Sequence, residues 1–81
     1  NSLIGDGCEI YGTVKNSILF RGVKVAEGAV VENCILMQET EVAKDAVLDN
    51  VIADKNSVIS EKVVLKGTAE HHCFVTKSQI V

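Results

Sequence analysis

The chain has 81 residues and a mass of 8.7 kDa, enough for one small domain and too little for separate catalytic and binding domains. Its 47% hydrophobic content includes one Tyr, two Phe and no Trp, so the core must be aliphatic. The net charge of −3 and the scattered basic residues exclude an electrostatic surface for nucleic acid or an anionic membrane. No apolar run spans a bilayer and no leader opens the chain, so we expect a soluble cytoplasmic protein.

The three cysteines, Cys8, Cys34 and Cys73, are an odd number and lack the paired spacing of a zinc module. This pattern favours neither a disulfide framework nor a metal site, so we expect reduced thiols. The sequence begins at Asn1 without an initiator Met and contains no Pro. We therefore expect it to be a segment of a longer protein.

A repeat with a step of 17 residues organises most of the chain. Val25, Val42 and Ile59 align in one column of this repeat. The other aliphatic columns are Val31, Leu48 and Leu65, and then Ile18, Ile35 and Ile52, which are followed by Leu19, Leu36 and Ala53. Because all the columns recur together, the sequence predicts one structural unit per repeat.

The first unit begins at Ile4 and departs from the later spacing. The distance from Ile10 to Leu19 is nine residues, where later units use five. Residues 11–14 therefore contain four extra residues, which we expect to bulge out at one corner.

From Val25 onward the aliphatic leaders fall six, five and six residues apart, as Val31, Leu36 and Val42 continue the series. A small residue lies four positions after most leaders and two positions before the next leader, so both can face the same side of an extended segment. These small residues are Cys8, Ala29, Thr40, Ala46 and Ser57. The spacing predicts three short edges per turn, with leaders and small residues facing inward.

Turn-forming residues lie between the aliphatic positions, as at 5–7 and 55–56. A helix is excluded because a period of about 3.6 residues would scatter the columns, in which β-branched residues dominate. Antiparallel hairpins are excluded because the edges are too short to pair across such loops. The sequence therefore predicts an all-β, triangular parallel solenoid of three to four coils.

Residues 1–70 form the predicted solenoid and residues 71–81 a C-terminal capping tail. Glu70 replaces the expected aliphatic leader, so His71 and His72 are expected to mark the end of the solenoid. Alternating side chains after them predict an extended strand along the last coil. Since a solenoid end exposes unpaired edges, we expect the tail to cover one end and the isolated chain to self-associate through an open end or a flat aliphatic face.

The units that begin at Ile4, Val25, Leu36 and Val42 are similar to the hexapeptide repeat of left-handed parallel β-helices. The resemblance implies the left hand, because residue spacing fixes no hand and a left-handed coil runs against the usual crossover preference.

The segment 1–38 resembles the C-terminal domain of bacterial glucose-1-phosphate adenylyltransferase, also called ADP-glucose pyrophosphorylase, above all at 7–8, 12–14 and 16–20. The resemblance extends over about residues 1–66 and is greater to the regulatory-type subunit than to the catalytic one. It implies a noncatalytic domain for assembly and allosteric coupling. The implied parent enzyme converts ATP and glucose 1-phosphate to ADP-glucose and pyrophosphate in glycogen biosynthesis.

The resemblance places the active site in an N-terminal nucleotidyltransferase domain with a glycine-rich phosphate loop, which this chain lacks. Gly5, Gly7 and Gly12 are instead expected at solenoid corners. Mg²⁺ is expected with the nucleotide in that domain, and no cofactor is expected in this segment. The expected partners are that domain and a catalytic subunit, in a homo-oligomer or hetero-oligomer, with no nucleic acid and no membrane.

A hexapeptide-repeat acyltransferase is the alternative function, because many such proteins use a His between subunits as a general base. His71 and His72 are its candidates, but their position after the last recognisable repeat favours an exposed turn. A zinc site with Cys73 is disfavoured because adjacent ligands rarely converge on one ion. Cys34 is interpreted as a small core or corner residue rather than a nucleophile. We therefore assign no catalytic, cofactor-binding or metal-binding residue.

Asn16, Asn33 and Asn50 recur at the same point of three successive units, which predicts a stacked amide ladder inside the solenoid. A row of sugar-binding amides is the functional alternative. Arg21 and Lys24 are single cations that an anionic effector of the parent could contact, although solvated surface charge is the favoured interpretation.

Overall fold

The computed structural model describes residues 2–81, which form thirteen strands of two or three residues each and no helix. The strands are β1 (Leu3–Ile4), β2 (Glu9–Ile10), β3 (Thr13–Lys15), β4 (Ile18–Leu19), β5 (Lys24–Val25), β6 (Val30–Glu32), β7 (Ile35–Leu36), β8 (Glu41–Val42), β9 (Val47–Asp49), β10 (Val51–Ala53), β11 (Val58–Ile59), β12 (Val64–Lys66) and β13 (Cys73–Val75). The described residues thus include no helix that could cross a membrane.

The strands form three sheets, one along each side of the solenoid. Sheet A has the order β1-β4-β7-β10-β13, sheet B the order β2-β5-β8-β11, and sheet C the order β3-β6-β9-β12. All these pairings are parallel, and each joins a strand to the equivalent strand one coil away. Four complete coils and a partial fifth confirm the predicted all-β solenoid. Its left hand stays a prediction from the resemblance.

Aliphatic side chains fill the interior of the solenoid. Val25 stacks on Val42 in sheet B and Val31 stacks on Leu48 in sheet C, and each of them is at most 2% exposed. The third column consists of Leu19, Leu36 and Ala53, which are equally buried. The small inward residues Ala29, Thr40, Ala46 and Ser57 are fully buried, as predicted. Each large side chain contributes about 1.5–3 kcal/mol through this burial.

Two hydroxyl groups in this aliphatic interior are satisfied by backbone carbonyls of the adjoining corners. Thr40 Oγ1 donates to Met37 O at 2.8 Å, and Ser57 Oγ repeats the contact one coil later with Asp54 O at 2.7 Å. No buried side-chain nitrogen or oxygen within residues 2–81 lacks a hydrogen-bond partner. The interior of this part of the chain therefore carries no unpaired polar side-chain atom that would destabilise it.

Most corners turn at a residue in the left-handed backbone conformation. Gly22 and Gly28 have φ values of 74° and 79°. Other residues take the same conformation at further corners, with φ between 48° and 63°: Asn16, Asn33, Glu39, Asp45, Asn50, Asn56, Lys62 and Ser78. Because this conformation costs most L-residues about 1–2 kcal/mol, the corners favour Gly and Asn. The interpretation of residues 5–7 and 55–56 as turn formers is confirmed, since Gly7 and Asn56 both take this conformation.

The first coil is shorter than the later coils, and the predicted bulge at residues 11–14 is wrong. Val14 lies in β3 and pairs with Val31, so this stretch supplies a third edge rather than an insertion. From the first coil to the second, the step between paired residues is 15 in sheets A and B and 17 in sheet C, so the two missing residues fall at the corner between β2 and β3. The prediction failed because it treated the residues from Ile10 to Leu19 as one edge, whereas they contain a corner and a further strand.

Gly12 makes the shortened corner possible. A Cβ at this position would lie 2.7 Å from the carbonyl oxygen of Ala26 and would also overlap the carbonyl oxygen of Ala29. The Ala29 carbonyl accepts a hydrogen bond from Thr13 N at 2.9 Å. The backbone therefore cannot move away from position 12 without disturbing the pairing of two coils.

The stack continues beyond the two histidines that were expected to end it. In β13, Cys73 pairs in parallel with Val51 of β10. The step here is 22 residues instead of 17, because a loop at residues 68–72 adds five residues at the corner. His71 N donates to Thr68 Oγ1 at 3.0 Å and Thr68 N donates to His71 O at 2.9 Å, which closes the loop.

The segment after β13 bends instead of running as one straight strand. Gln79 N donates to Thr76 O at 3.1 Å across a further corner. Ile80 then forms a parallel bridge with Val58 of β11. The end of the chain thus covers the last complete coil on two of its three sides, while the division of the chain at residue 70 stays a prediction.

Gly12→Ala is expected to destabilise the protein by about 3 kcal/mol, at the upper end for overpacking, because the contacted atoms are backbone carbonyls. Gly7→Ala is the control, since a Cβ there meets nothing within 4 Å and only the φ of 73° opposes it, at about 1 kcal/mol. Urea unfolding followed by circular dichroism measures both variants. An equal or larger loss in the Gly7 variant would show that the first corner is not tightly packed.

Candidate functional site

Sheet A presents an apolar column to solvent along its whole length. Neighbouring residues of a strand face opposite sides, so Ile18 faces outward while Leu19 fills the core. The outward residues of the five strands are paired in register: Leu3, Ile18, Ile35, Ile52 and Phe74, here called the sheet A stripe. Leu3 is 70% exposed and Phe74 is 71% exposed at its two ends.

The outer faces of the other two sheets carry charge. Glu9, Lys24 and Glu41 stand opposite one another on sheet B. Sheet C carries an apolar column, Val30, Val47 and Val64, beside a charged column, Lys15, Glu32, Asp49 and Lys66. The valine column of sheet C begins at Thr13, so within residues 2–81 the sheet A stripe is the one outward column in which every paired residue is apolar.

Two adjoining open grooves, of about 480 and 510 Å³, run beside the sheet A stripe. They share Asn16 and Ile18, so they form one continuous depression, here called the corner groove. The remaining lining residues of its larger part are Asn33, Cys34, Ile35, Asn50, Ala69 and His72. The corner groove follows the corner between sheets C and A and is the candidate functional site.

Asn16, Asn33 and Asn50 form one wall of the corner groove. Their φ values of 48°, 53° and 54° place each residue in the left-handed conformation, which asparagine tolerates. The side-chain amides of Asn33 and Asn50 both donate to Asp49 Oδ1, at 3.4 and 2.9 Å. Asn16 and Asn33 are exposed and Asn50 is half-buried. The prediction of an amide ladder inside the solenoid is therefore wrong, because these corners direct the amides to the surface.

His71 and His72 lie exposed on the 68–72 loop, and His72 lines the corner groove beside Ala69. Cys73 instead packs against the core, so these three residues do not converge on one point. No group of three or more potential metal ligands comes together within residues 2–81. The expectation that His72 follows the end of the solenoid is wrong, since the 68–72 loop lies between β12 and the further stacked strand β13.

Cys34 is buried beneath the corner groove. Its thiol donates to Glu32 O at 3.0 Å, as Ser17 Oγ donates to Lys15 O at 2.8 Å one coil earlier. Burial raises the pKa of the Cys34 thiol above its ordinary value, and the negative charge of Asp49 acts in the same direction. A buried, neutral thiol is a poor nucleophile, which supports the interpretation of this cysteine as a core residue.

The other residues singled out in the sequence lie away from the corner groove. Arg21 is exposed at the corner between sheets A and B, and Lys24 faces solvent from sheet B. Cys8 packs against the core, and its thiol donates to Phe20 O at 3.1 Å. The structure therefore brings neither cation to His72.

The corner groove combines apolar contact with hydrogen-bonding groups, an arrangement suited to holding a partner. Sequence reasoning aligned Ile18 and Ile35 as a column but missed that they face solvent. A signal was present, because each of them directly precedes another aliphatic residue, and two neighbours in a strand cannot both face inward. The position of His72 beside the corner groove was not predicted, because the 68–72 loop interrupts the 17-residue step.

Comparisons with known proteins agree with the repeat pattern. Residues 1–80 match the family described as GlmU-like, C-terminal hexapeptide. The glucose-1-phosphate adenylyltransferase of Pseudothermotoga lettingae is 61% identical over 31 residues, which cover 38% of this chain and 7% of that protein. The glycogen biosynthesis protein GlgD of Geobacillus stearothermophilus is 63% identical over 30 residues, which cover 37% of this chain and 9% of that protein.

The glucose-1-phosphate adenylyltransferase of Thermosipho melanesiensis is 61% identical over 31 residues, which cover 38% of this chain and 8% of that protein. The matched segment thus spans only a small part of the length of each of these relatives. No solved structure matches the chain.

The burial of Cys34 predicts a loss of stability in alkaline solution. Its pKa is raised in the folded state, so this contribution is complete below the ordinary value of 9.0 and is lost as the pH rises through the folded-state pKa, because the unfolded thiol ionises first. Cys34→Ala removes the titrating thiol. The cavity that it leaves lowers the free energy of unfolding by an amount that does not depend on pH. Urea unfolding between about pH 8 and pH 10.5 should therefore show that the free energy of unfolding falls more steeply with pH for the unsubstituted chain than for the variant. Equal slopes for the two proteins would contradict the assignment.

Proposed function

This chain belongs to the GlmU-like, C-terminal hexapeptide family, and we propose that it is the noncatalytic assembly and regulatory domain of a glucose-1-phosphate adenylyltransferase. The observation that carries the proposal is the identity of about 60% that the chain shares with several such enzymes over some 30 residues. The identity of 63% to a glycogen biosynthesis protein supports the same process. We assign to the parent the synthesis of ADP-glucose from ATP and glucose 1-phosphate, with a cytoplasmic location.

A structural role for the solenoid is supported by how its residues are used. Val25 pairs with Val42 and Val31 with Leu48 inside the solenoid. The outward apolar residues of sheet A form a continuous stripe on its surface. Such a stripe is typical of a surface that packs against another part of a protein. We propose as partners the nucleotidyltransferase domain of the parent and a catalytic subunit.

We assign the Mg²⁺ of the reaction to the nucleotide domain of the parent. Mg²⁺ prefers several oxygen ligands, chiefly carboxylates and phosphates. This segment does not fit such a site, because no potential ligand set converges within residues 2–81. Asp49, whose carboxylate lies beside the asparagine wall of the corner groove, already accepts hydrogen bonds from Asn33 and Asn50.

An acyltransferase is retained as the second candidate because of one observation. The 68–72 loop is an insertion between stacked coils and brings His72 to the edge of a groove. In the acyltransferase interpretation His72 would be the general base, and an acyl-thioester cofactor would occupy the groove.

Acetyl-CoA separates the two candidate functions. Isothermal titration of the chain with acetyl-CoA is expected to give no binding, because the proposed role involves no acyl donor. The His72→Ala variant is the matched control, since its imidazole is exposed and its loss should leave the fold intact. A micromolar binding signal that this variant weakens would favour the acyltransferase.

Coexpression with a catalytic subunit of a glucose-1-phosphate adenylyltransferase tests the regulatory role. The chain is expected to copurify with that subunit and to change the effector concentration needed for half-maximal activation at least twofold. The catalytic subunit expressed alone is the control. An unchanged effector response in a copurified complex would leave the chain with a structural role and contradict the regulatory part of the proposal.

A further inference from the structure

The segment 68–81, here called the strap, passes from the corner groove over the last complete coil. Ala69 and His72 line the groove, β13 pairs with β10, and Ile80 bridges to Val58. One continuous segment thus supplies both the end wall of the corner groove and the cover of that coil. A movement of the strap would therefore change both features together.

The strap is held in place with little apolar burial. Within residues 68–81 only Val75 is buried, while Cys73 and Val81 are half-buried. A segment of the same length in the middle of the solenoid, 35–48, buries five side chains: Leu36, Thr40, Val42, Ala46 and Leu48. Because apolar burial is the main favourable contribution to folding, the strap is bound less firmly than a middle coil.

The polar contacts under the strap do not prevent its release. Asp54 N, on the body of the solenoid, donates to Val75 O at 2.9 Å. The buried hydroxyl of Ser57 donates to Thr76 O at 2.9 Å and also to Asp54 O at 2.7 Å. When the strap leaves, this hydroxyl keeps Asp54 O as its acceptor, and the freed backbone groups at the strand edge meet water. Opening therefore leaves no unpaired hydroxyl in the core.

The two ends of the strap are held together by contacts of their own. Gln79 Oε1 accepts hydrogen bonds from Thr76 N at 2.9 Å and from Thr76 Oγ1 at 3.1 Å. The 68–72 loop is closed by the two bonds between Thr68 and His71. These contacts lie within the strap and can survive its detachment. We therefore expect the strap to leave the solenoid as one unit instead of fraying residue by residue.

Gly67 is the point about which the strap can move. Its own amide donates to Asp49 O at 2.8 Å, which keeps this residue attached to the solenoid. A Cβ at position 67 would lie 2.7 Å from both Asn50 O and Cys73 N. These two atoms form the hydrogen bond, 3.0 Å long, that joins the beginning of β13 to the coil below. The strap can thus close fully only because position 67 carries no side chain.

We propose that the strap opens and closes as one unit about Gly67, and that its opening removes the end wall of the corner groove and uncovers the edges of β10 and β11. The corner groove thus has two forms, of which only the closed one includes Ala69 and His72. An occupant that contacts these two residues favours the closed form by as much as its affinity for the two forms differs. The proposal depends on the contacts of this chain and not on the reaction assigned to the parent enzyme.

Native-state hydrogen exchange followed by NMR tests the strap. The amides of Asp54, Val58 and Ser60 belong to the body of the solenoid and donate to carbonyls of the strap. Their protection factors are expected to agree within threefold, because one opening exposes all three. They should be at least a hundredfold lower than the protection factors of Phe20 and Ala26, whose amides donate between middle coils.

Two variants that each lose one buried hydroxyl locate the effect. Ser57→Ala removes the bond to Thr76 O and should lower the protection of the three strap-facing amides at least threefold relative to Phe20. Thr40→Val is the matched control, because Thr40 lies one coil earlier and its hydroxyl bonds only Met37 O and Asp54 O. It should leave the ratio within twofold.

Gly67→Ala is expected to hold the strap open. The strap-facing amides should lose at least a further tenfold in protection, while protected Phe20 and Ala26 amides show that the chain is still folded. Signals of Asn33 and Ile35, which line the groove together with the end wall, should move in the direction already seen with Ser57→Ala, as exchange between two forms requires. If Gly67→Ala unfolds the chain, Val75→Ser replaces it.

Four results would overturn the proposal. Strap-facing amides as protected as those of the middle coils would show that the strap does not open separately. A steady fall in protection from Asp54 to Ser60 would show fraying instead of one opening. An equal effect of Thr40→Val, or unmoved groove signals in an opened variant, would remove the link between the strap and the groove. None of these results bears on effector response or acetyl-CoA binding, so the proposed function is judged separately.

Discussion

Parallel backbone hydrogen bonds between coils are the interaction on which the rest of this structure depends. No strand within residues 2–81 exceeds three residues, so a strand can persist only as a member of a ladder that runs along the solenoid. The bond from Phe20 N to Leu36 O, at 2.9 Å, shows how one coil holds the next. Because the register is uniform, a residue that faces inward in one coil places its equivalents inward in every coil. Core and surface are thereby sorted into columns.

The same register restricts where the chain can change length. An extra residue inside a strand would invert every side chain after it, so changes are confined to corners. The first coil loses two residues at a corner that Gly12 allows to close, and the last coil gains the five residues of the 68–72 loop. The second change has a consequence for the surface, since it places His72 and Ala69 at the end of the corner groove.

The fold was predictable because only a few types of side chain fit the narrow interior of the solenoid. Val25, Val42 and Ile59 are alike since each fills the same narrow space, and their recurrence revealed the coils. Features governed by the backbone were harder to predict. The short corner at Gly12 has no repeat to align with, and the sequence around His72 offers no leader to show that the stack resumes. The candidate site depends on both kinds of feature, so the sequence revealed its aliphatic and asparagine columns but not the end wall that Ala69 and His72 supply.

The packing of the core does not account for the outward isoleucines of sheet A. Ile18 and Ile35 are next to residues that already fill the interior, so packing of the solenoid does not explain them. A polar side chain there would serve a solvent-exposed strand equally well, as Lys24 does on sheet B. Because the strands pair in register, one outward apolar residue per coil produces a continuous apolar stripe. An exposed stripe of this kind promotes aggregation unless another surface covers it.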